Sequence, residues 1–340
     1  MKLGTLKLIG LAVISSLGAQ VASAQEAERH IMAAGAGSTQ GLIAQDIAKL
    51  GDRCGLPMSV VASKGALESF FGVRNRHNTQ FGIVDADLLN YLNSYKGQNN
   101  DVKEAVQGMR IMLPLFDAEV HVLAPEGINT LQDLRGKRIG VGEKDSTAYL
   151  TSQLMFDILR IPVAERVTGT TDEMIELLRQ GEIDAMIRVA GAPVEALTDK
   201  RIDNSFHLVP ITDELLRASY KAVTIPAGMY PYQRTAVQTV SVKTLLMTYE
   251  YGTGKNAYYN NACKAVADFT NLIVDNIDEL RRNGHPKWKD IDLTEIPKGW
   301  EIGMCVRKGL DPNYKVSCTQ AADATGNSEY LDLLGQHLKR

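Results

Sequence analysis

The sequence predicts an α/β fold of two units, in which mostly parallel sheets are flanked by helices. Three observations predict this class. The length of 340 residues suits two domains. Strand and helix signals alternate along the chain, which is typical of layered α/β structure. The alternation restarts near residue 137, which indicates a second unit over residues 117–225.

The first unit begins with apolar strand segments separated by helical patterns. The strand segments lie at residues 31–34, 58–62, 81–84, 111–115 and 120–124. Apolar residues at helical spacing follow the first two of them, at Leu42, Ile43, Ile47 and Leu50 and then at Leu67, Phe70 and Phe71. The order strand, loop, helix predicts parallel strands with crossover helices.

The second unit repeats this pattern, and a helical part follows it. Strands are predicted at residues 138–141 and 183–189, and helices at 148–159 and 171–180, the latter ended by Gly181. Residues 226–340 are predicted to be mostly helical, with one apolar face at residues 256–276.

The composition excludes several function classes. Hydrophobic residues make up 44% of the chain and charged residues 23%, which is ordinary for a globular protein able to bury a full core. Lys and Arg number 37 against 40 Asp and Glu, a net charge of −3. This balance argues against a nucleic-acid partner, which usually meets a basic excess. It also argues against a disordered chain.

The first 24 residues have the pattern of a secretory signal peptide. Lys2 and Lys7 flank the start of an uncharged apolar stretch at residues 8–17, and Ala22-Ser23-Ala24 supplies the small residues of a cleavage site. We expect cleavage after Ala24 and a periplasmic protein. A membrane anchor is the alternative, but the stretch is short for about 30 Å of hydrocarbon. No later segment reaches about 18 continuous apolar residues, so we expect no membrane insertion.

Four cysteines in an exported chain suggest two disulfides. The sequence allows three pairings. Closeness in the chain favours Cys305 with Cys318, which leaves Cys54 with Cys263. The alternative is that some of the thiols are free and buried. A zinc site is not expected, because no Cys-x-x-Cys and no histidine at ligand spacing occur.

Three strand-to-helix loops carry Gly, Ser and Thr, at residues 35–39, 63–65 and 142–147. A helix N-terminus presents unpaired N–H groups and the positive end of the helix dipole, which favours an anion. In open α/β sheets, ligands bind at the carboxyl ends of the strands. The three loops therefore predict a cleft for a small anion. The alternative for each loop is ordinary helix capping, by Ser38, Ser63 and Ser146.

Other chemistries find little support in the sequence. The first loop resembles a dinucleotide fingerprint, but the second strand ends at Ser63-Lys64 and not at an acid for the ribose, so we expect no cofactor. Gly-x-Ser-x-Gly and His-Glu-x-x-His are absent, so we expect no enzyme. His121, in an apolar strand, is interpreted as a packing residue, and Asp87 as the cap of the next helix.

Several segments together resemble the TAXI group of solute-binding proteins, the periplasmic receptors of TRAP transporters. The resemblance covers about residues 31–290. It is carried by residues 34–39, 60–68 with Gly65, 81–84 with Asp87, 121–124, 131–142, Gly181-x-Ile183-Asp184-Ala185, Gly191-x-Pro193, Ile225-Pro226 and Tyr230. Residues 131–142, with Asp-Leu-x-Gly-Lys before a strand and Val-Gly after it, are the most specific of these.

The resemblance implies a type II-like periplasmic-binding-protein fold with two lobes and a hinge. Residues 25–116 and 226–340 would form the first lobe and residues 117–225 the second, with chain crossings near 115–118 and 222–228. Family members bind organic acids or amino acids such as glutamate and 2-oxoglutarate. The predicted ligand-binding residues are Gly37, Ser38, Thr39, Ser63, Gly65, Ala66, Asp145, Ser146, Thr147, Arg188, Gly191 and Tyr230, of which Asp145 and Arg188 do not come from the family pattern.

Arg188 departs from the family, which tends to have an apolar or aromatic residue there. A guanidinium near the end of an apolar strand can bind a carboxylate through two parallel hydrogen bonds. The alternative is a structural ion pair, with Asp145 as a candidate partner. The loop at residues 144–147 also departs, with Lys144-Asp145 where glycine is usual, and the segment from Trp288 onward is not the usual ending.

The expected partners are a small organic anion and an integral-membrane TRAP transporter, and we expect a monomer. Two other binding functions stay open. One is a receptor of an ABC importer for a sulfonate- or phosphonate-like anion, and the other is a periplasmic ligand sensor.

Overall fold

The computed structural model describes residues 29–318, apart from residues 36, 77, 97–98 and 253–255. The predicted signal peptide at residues 1–24 and the chain end from residue 319 lie outside the described residues. Within the described part the strands are β1 (His30–Ala34), β2 (Ser59–Ser63), β3 (Thr79–Asp85), β4 (Met109–Pro125), β5 (Arg138–Gly140), β6 (Glu165–Val167), β7 (Ala185–Ala190), β8 (Phe206–Leu208), β9 (Lys221–Ile225) and β10 (Val237–Tyr249).

The helices cover both faces of these strands. They are α1 (Thr39–Arg53), α2 (Ala66–Asn75), α3 (Leu88–Tyr91), α4 (Asn100–Gly108), α5 (Thr147–Leu159), α6 (Thr171–Arg179), α7 (Glu214–Ser219), α8 (Ala257–Asp275), α9 (Ile277–Asn283) and α10 (Met304–Gly309). A π-helical turn at Leu92–Lys96 follows α3, and short 3-10 turns lie at Leu131–Leu134, Glu195–Thr198 and Pro286–Asp290.

The strands form one sheet with two parallel sets joined by two long strands. Its order is β2-β1-β3-β10-β4-β7-β5-β6, with β8 paired to β4 and β9 to β10. β1, β2 and β3 are parallel, as are β5, β6 and β7, whereas β4 and β10 run antiparallel to each other and to their neighbours. We call β1–β3 with their helices the first half and β5–β9 with theirs the second half. The predicted α/β class is confirmed.

The two central strands correct the sequence prediction. β4 is one continuous strand where two were predicted, and β10 lies in a region predicted to be mostly helical. β4 continues because Asp117, within the predicted break, pairs with Lys221 and with Lys243, each at 2.8 Å. β10 is buried on both faces along most of its length, so its side chains do not show the polar alternation that marks a half-buried strand.

The helix predictions hold where caps and apolar spacing agree. Ser38 caps α1 by accepting from the Gly41 amide at 3.0 Å, and Ser146 caps α5 by accepting from the Tyr149 amide at 3.3 Å. α8 begins after its cap Asn256, whose side chain accepts from the Tyr259 amide at 2.9 Å. Its last eleven residues, 265–275, are all buried.

The largest apolar cluster contains residues from both halves, including Ile31 and Ile43 from the first and Ile139 and Ile187 from the second. The crossing strands contribute Leu115 and Val242 to the same cluster. The halves are therefore joined by a shared core along β4 and β10.

The predicted lobe bounds stay a prediction, but the packing bears on the second crossing. The first part of β10 pairs with β9, and Tyr230, Tyr232 and Val237 pack with Leu123 of β4 and with Met186 of the second half. Pairing with β3 begins only at Thr244. Residues 237–241 thus pair with the second half, within a segment that the sequence placed in the first lobe.

The disulfide prediction is wrong in both pairs. Cys263 pairs with Cys305, with a Cα–Cα distance of 5.1 Å, and Cys54 pairs with Cys318, at 4.4 Å. The reason is that α10 packs beside α8, which brings Cys305 to Cys263. The segment after α10 then continues along α8, where the Val316 amide donates to Asn271 at 3.2 Å, and reaches the end of α1 at Cys54.

Candidate functional site

A cavity of about 860 Å³ lies between the two halves. Phe116 and Ala118 of the crossing strand β4 line it, together with the loops that follow β1, β2, β5 and β7. The carboxyl ends of four parallel strands therefore meet at one cavity, which we call the cleft. Its volume is in the range of small-molecule binding sites.

The first half contributes the start of α1 and the loop after β2. Gly37, Ser38, Thr39, Ser63 and Gly65 line the cleft. The hydroxyl of Ser38 is engaged as the cap of α1, and that of Ser63 lies 2.8 Å from the Ser69 hydroxyl. The local capping interpretation is thus correct for Ser38, and a ligand at this wall would meet backbone groups at a helix N-terminus.

The second half contributes the start of α5 and the end of β7. Ser146, Thr147 and Arg188 line the cleft, and Ser146 is engaged as the cap of α5. The loop before α5 turns at Gly142 (φ +76°) and at Asp145 (φ +66°). These left-handed residues turn the chain from β5 into α5, so that the helix N-terminus faces the cleft.

The two walls touch at Gly65, whose φ is +151°. A Cβ there would lie 2.6 Å from the Ser146 Cα and 2.7 Å from the Asp145 carbonyl oxygen. Only glycine permits both this backbone conformation and this approach. The structure therefore shows the halves closed against each other on this side of the cleft.

Buried carboxylates of the first half hold this closure. Asp85 accepts hydrogen bonds from Thr147 across the gap, from Thr244 at 2.9 Å and from Gln40 at 3.2 Å. Burial raises the pKa of Asp85, and these bonds oppose the rise.

Asp87 bridges the halves beside it. Its Oδ2 accepts from the hydroxyls of Thr151 at 2.8 Å and Tyr220 at 3.3 Å, both from the second half. The prediction that Asp87 caps the following helix is wrong, because its side chain makes no cap hydrogen bond to α3. Burial and the adjacent Asp85 raise the pKa of Asp87 to about 7.

Arg188 is a charged side chain that lines the cleft from the end of β7. It is half-buried, and its Nε is fully covered without a hydrogen-bond partner. Burial lowers the pKa of its guanidinium. The negative charges of Asp85 and Glu143, which make no hydrogen bond to it, raise that pKa in part. The alternative ion pair with Asp145 is not formed in the described part of the chain. Among the residues that the structure describes, Arg188 is therefore a positive charge lining the cleft with no counter-ion in contact.

Most of the chain matches the model of one protein family. The model of the NMT1-like family matches residues 31–300. The chain belongs to the NMT1-like family. The TAXI group, which the sequence motifs resemble, is a finer assignment than this family match.

Solved structures that resemble this NMT1-like chain do so distantly. PhnD1 from Prochlorococcus marinus in complex with methylphosphonate is 10% identical and has a TM-score of 0.46, covering 73% of this chain and 84% of that chain. Tv2483 bound to L-arginine is 11% identical, with a TM-score of 0.47 and coverage of 79% and 93%. A TctC solute binding protein from Polaromonas is 14% identical, with a TM-score of 0.42 and coverage of 92% and 95%.

Four residues predicted for the site lie off the cleft wall of this NMT1-like chain: Ala66, Asp145, Gly191 and Tyr230. Ala66 is buried in the first turn of α2, and Asp145 faces Gly65 through its backbone. The Gly191 carbonyl accepts from Thr39 at 3.4 Å, so it serves contact between the halves. Tyr230 is buried behind the wall, where its hydroxyl lies 2.8 Å from His121 Nε2 and accepts from the Val194 amide.

Sequence reasoning missed the outer rim of the cleft. Thr171, Asp172, Asp199 and Arg201 line it. Arg201 is already paired with Asp199 at 2.9 Å and also with Asp172. These residues come from loops without a motif. The one usable signal was that Thr171 and Asp172 follow β6 at the start of α6, the same position that the predicted loops occupy in other strand–helix units.

The described residues show neither a metal centre nor a membrane helix. No three His, Cys, Asp or Glu side chains in this part of the chain form a group that could hold a metal ion. Over the same residues, no helix combines the length and the apolar character needed to cross a membrane.

Proposed function

We propose that this protein is a periplasmic solute receptor that captures a small organic anion between its two halves and delivers it to a TRAP-type membrane transporter. One observation carries the proposal: the unpaired guanidinium of Arg188 lines the 860 Å³ cleft. An arginine that is partly removed from water and has no counter-ion destabilises the fold. A ligand carboxylate would supply the missing acceptor through two parallel hydrogen bonds.

The helix ends around the cleft support the same sign of charge. The N-terminal turns of α1 and α5 border it from opposite halves. A helix N-terminus favours an anion through its free N–H groups and its dipole. Two such ends and one arginine therefore favour a small anion over a neutral or cationic ligand.

The contacts between the halves support capture by closure. Asp85 and Asp87 accept hydrogen bonds from hydroxyl groups of the opposite half. The loop after β2 also meets the loop before α5 at Gly65. Breaking these contacts would open the cleft by rotation about β4 and β10, a hinge motion. The closed form would present one continuous surface to a membrane partner.

The finer assignment comes from the sequence resemblance. The TAXI-like segments support a carboxylate or amino acid, such as glutamate or 2-oxoglutarate, and a TRAP partner. A receptor for a sulfonate or phosphonate of an ABC importer is the alternative, because a guanidinium binds those oxyanions equally well. Neither the cleft nor the helix ends distinguish the two.

The cleft lining favours binding over catalysis. Its hydroxyls at Ser38, Ser63 and Ser146 bond to backbone groups or to another serine. In the described lining, none is hydrogen-bonded to a histidine that could activate it as a nucleophile. We therefore propose a receptor and not an enzyme.

A thermal-shift screen of residues 25–340 tests the proposal, with a panel of dicarboxylates, 2-oxo acids, amino acids, sulfonates, phosphonates and neutral sugars. A ligand at about 100 times its Kd should stabilise the protein by about 2.7 kcal/mol. We expect hits confined to anions, and loss of the shift in Arg188→Ala. Arg179→Ala is the matched control, because it removes an exposed arginine paired only with Glu176 in the same half. Hits confined to neutral sugars would contradict the proposal.

A further inference from the structure

Two carboxylates only two positions apart in the chain lie at the contact between the halves. Asp85 ends β3 and Asp87 directly precedes α3, both in the first half. Both are buried, with 1% and 6% of the residue exposed, so water does not neutralise their charge. The donors that reach them from the second half are hydroxyl groups: Thr147 for Asp85, and Thr151 and Tyr220 for Asp87. Among the described residues, neither carboxylate forms an ion pair.

Two buried carboxylates this close do not both ionise at their ordinary pKa values, because each disfavours the charge of the other. Burial raises the pKa of Asp85, but its three donors and the positive charge of Arg188 oppose the rise. Burial and the negative charge of Asp85 raise the pKa of Asp87 to about 7, and only two hydroxyl donors oppose them. Asp87 is therefore the member of the pair that holds a proton while the halves are in contact.

Other titratable groups lie on the elements around Asp87. They are Tyr91 on α3, Tyr149 and Asp157 on α5, Glu214 and Arg217 on α7, Lys221 on β9, Lys243 on β10, Glu143, Lys144 and Asp145 in the loop before α5, and Lys298 in the segment that contacts Ala86. In the described part of the chain, none of them makes a hydrogen bond or ion pair to Asp87. The two lysines of the strands pair with Asp117 and Glu295 instead.

Opening the halves would remove these hydroxyl donors and expose the pair to water, where both carboxylates ionise at ordinary pKa values. We propose that closure of the two halves takes up one proton on the Asp85–Asp87 pair, so that an anion is captured together with a proton. This inference rests on the proposed receptor function, in which the halves open and close. The closed form becomes more favourable as the pH falls from about 7 to about 4, because only the closed form is protonated in that range.

Arg188 connects the proton to the anion. Its positive charge lowers the pKa of Asp85 in part, and an anion bound to the guanidinium would offset that charge. The pair then holds its proton more strongly with the anion bound than without it. Since such coupling is reciprocal, the proton also strengthens the binding of the anion.

Small-angle X-ray scattering of residues 25–340 at pH 5.5 and pH 7.5 tests the proposal without any ligand. We expect a radius of gyration of about 20 Å at pH 5.5, as for a compact chain of this length, and one roughly 1 Å larger at pH 7.5, where the halves open. Asp87→Asn keeps an acceptor for Thr151 and Tyr220 but does not titrate, so its radius should be the same at both pH values. Asp101→Asn removes an exposed aspartate of α4 and is the matched control, which should behave as the wild type.

Tyr220→Phe is a second variant that keeps the test decisive if Asp87→Asn does not fold. It removes a hydrogen bond that favours the ionised form of Asp87, so the pH at which the radius changes should rise. Two results would overturn the proposal: a wild-type radius that does not change between the two pH values, or the same change in Asp87→Asn.

Calorimetric titration with 2-oxoglutarate measures the coupling to an anion. We expect its Kd to be at least about tenfold lower at pH 5.5 than at pH 7.5 in the wild type, and to agree within about twofold in Asp87→Asn. Equal Kd values in the wild type would also overturn the proposal. Absence of 2-oxoglutarate binding at both pH values would instead contradict the proposed ligand class, because the scattering measurement decides the proton uptake alone.

Discussion

Asp85 and Arg188 are both charged side chains beside the same cleft, but their surroundings are opposite. Asp85 accepts from Gln40, Thr147 and Thr244, whereas Nε of Arg188 has no acceptor among the described residues. The carboxylate is satisfied by the protein and joins the two halves. Arg188 has no such partner among the described residues, and its guanidinium is proposed to bind a ligand. Asp85 is therefore a group that holds the two halves together, and Arg188 is the group proposed to bind the ligand.

The largest effect is expected from removing the satisfied group. Asp85→Ala leaves the buried donors Gln40 and Thr244 and the half-buried donor Thr147 without this acceptor, and each unsatisfied buried donor costs about 1–3 kcal/mol. We expect the free energy of unfolding, measured with urea, to fall by about 3 kcal/mol or more. Asp85→Asn, which retains one acceptor oxygen, is the control and should lose less. Equal stability of Asp85→Ala and wild type would show that these bonds do not hold the halves.

Asp87 should make stability depend on pH. Its pKa is raised from 3.8 to about 7 in the folded protein, so between these values the folded state keeps a proton that the unfolded state releases. Stability contributed by the protonated form is complete below about pH 4 and is lost as the pH rises toward 7. The slope is at most about 1.4 kcal/mol per pH unit.

Asp87→Asn keeps an acceptor for Thr151 and Tyr220 but does not titrate. We expect its stability to vary less between pH 4 and 7 than that of the wild type, by at most about 3 kcal/mol in total. Urea unfolding at several pH values measures the difference. Parallel profiles for the two proteins would show that Asp87 is not the group responsible.

Arg188→Met should act in the opposite direction to Asp85→Ala. Replacing a buried charge that has no partner by an apolar side chain of similar length is expected to stabilise the ligand-free protein, by about 1 kcal/mol or more. Urea unfolding of protein refolded without ligand measures this. A marked loss of stability would mean that Arg188 has a structural partner, and the comparison with Asp85 would fail.

Gly65→Ala should impair closure without unfolding either half. The new Cβ would meet the Ser146 backbone at 2.6 Å, so we expect affinity for the ligand to fall by about tenfold. Gly127→Ala is the matched control, because Gly127 also has a positive φ, of +98°, but open space around it. Its substitution should reduce stability and leave affinity unchanged. Equal affinities of the two variants for the ligand would show that the close contact at Gly65 is not needed for binding.

The sequence predicted those parts of the fold that depend on local signals. Ser38, Ser146 and Asn256 precede apolar helical patterns, and all three cap the predicted helices. β10 was missed because burial on both faces removes the alternation that marks a strand. The disulfides were mispaired because α10 packs beside α8, a tertiary contact that sequence distance does not contain.

The candidate site was predictable to a similar extent. The glycine and serine loops come to the cleft because strand ends share one edge of a sheet. Tyr230 was misplaced since a family motif does not show which side of a wall a side chain occupies. The absence of a partner for Arg188 could be seen only in the structure, because it depends on every neighbour in three dimensions.

The most direct test of the central claim is the affinity of Arg188→Met for the anion found in the thermal-shift screen, measured by calorimetry beside wild type and Arg179→Ala. Truncating one partner of a buried charge pair costs about 2–5 kcal/mol. We therefore predict an affinity loss of at least about thirtyfold for Arg188→Met and none for Arg179→Ala. An affinity of Arg188→Met within about twofold of wild type would contradict the assignment of Arg188 to the ligand.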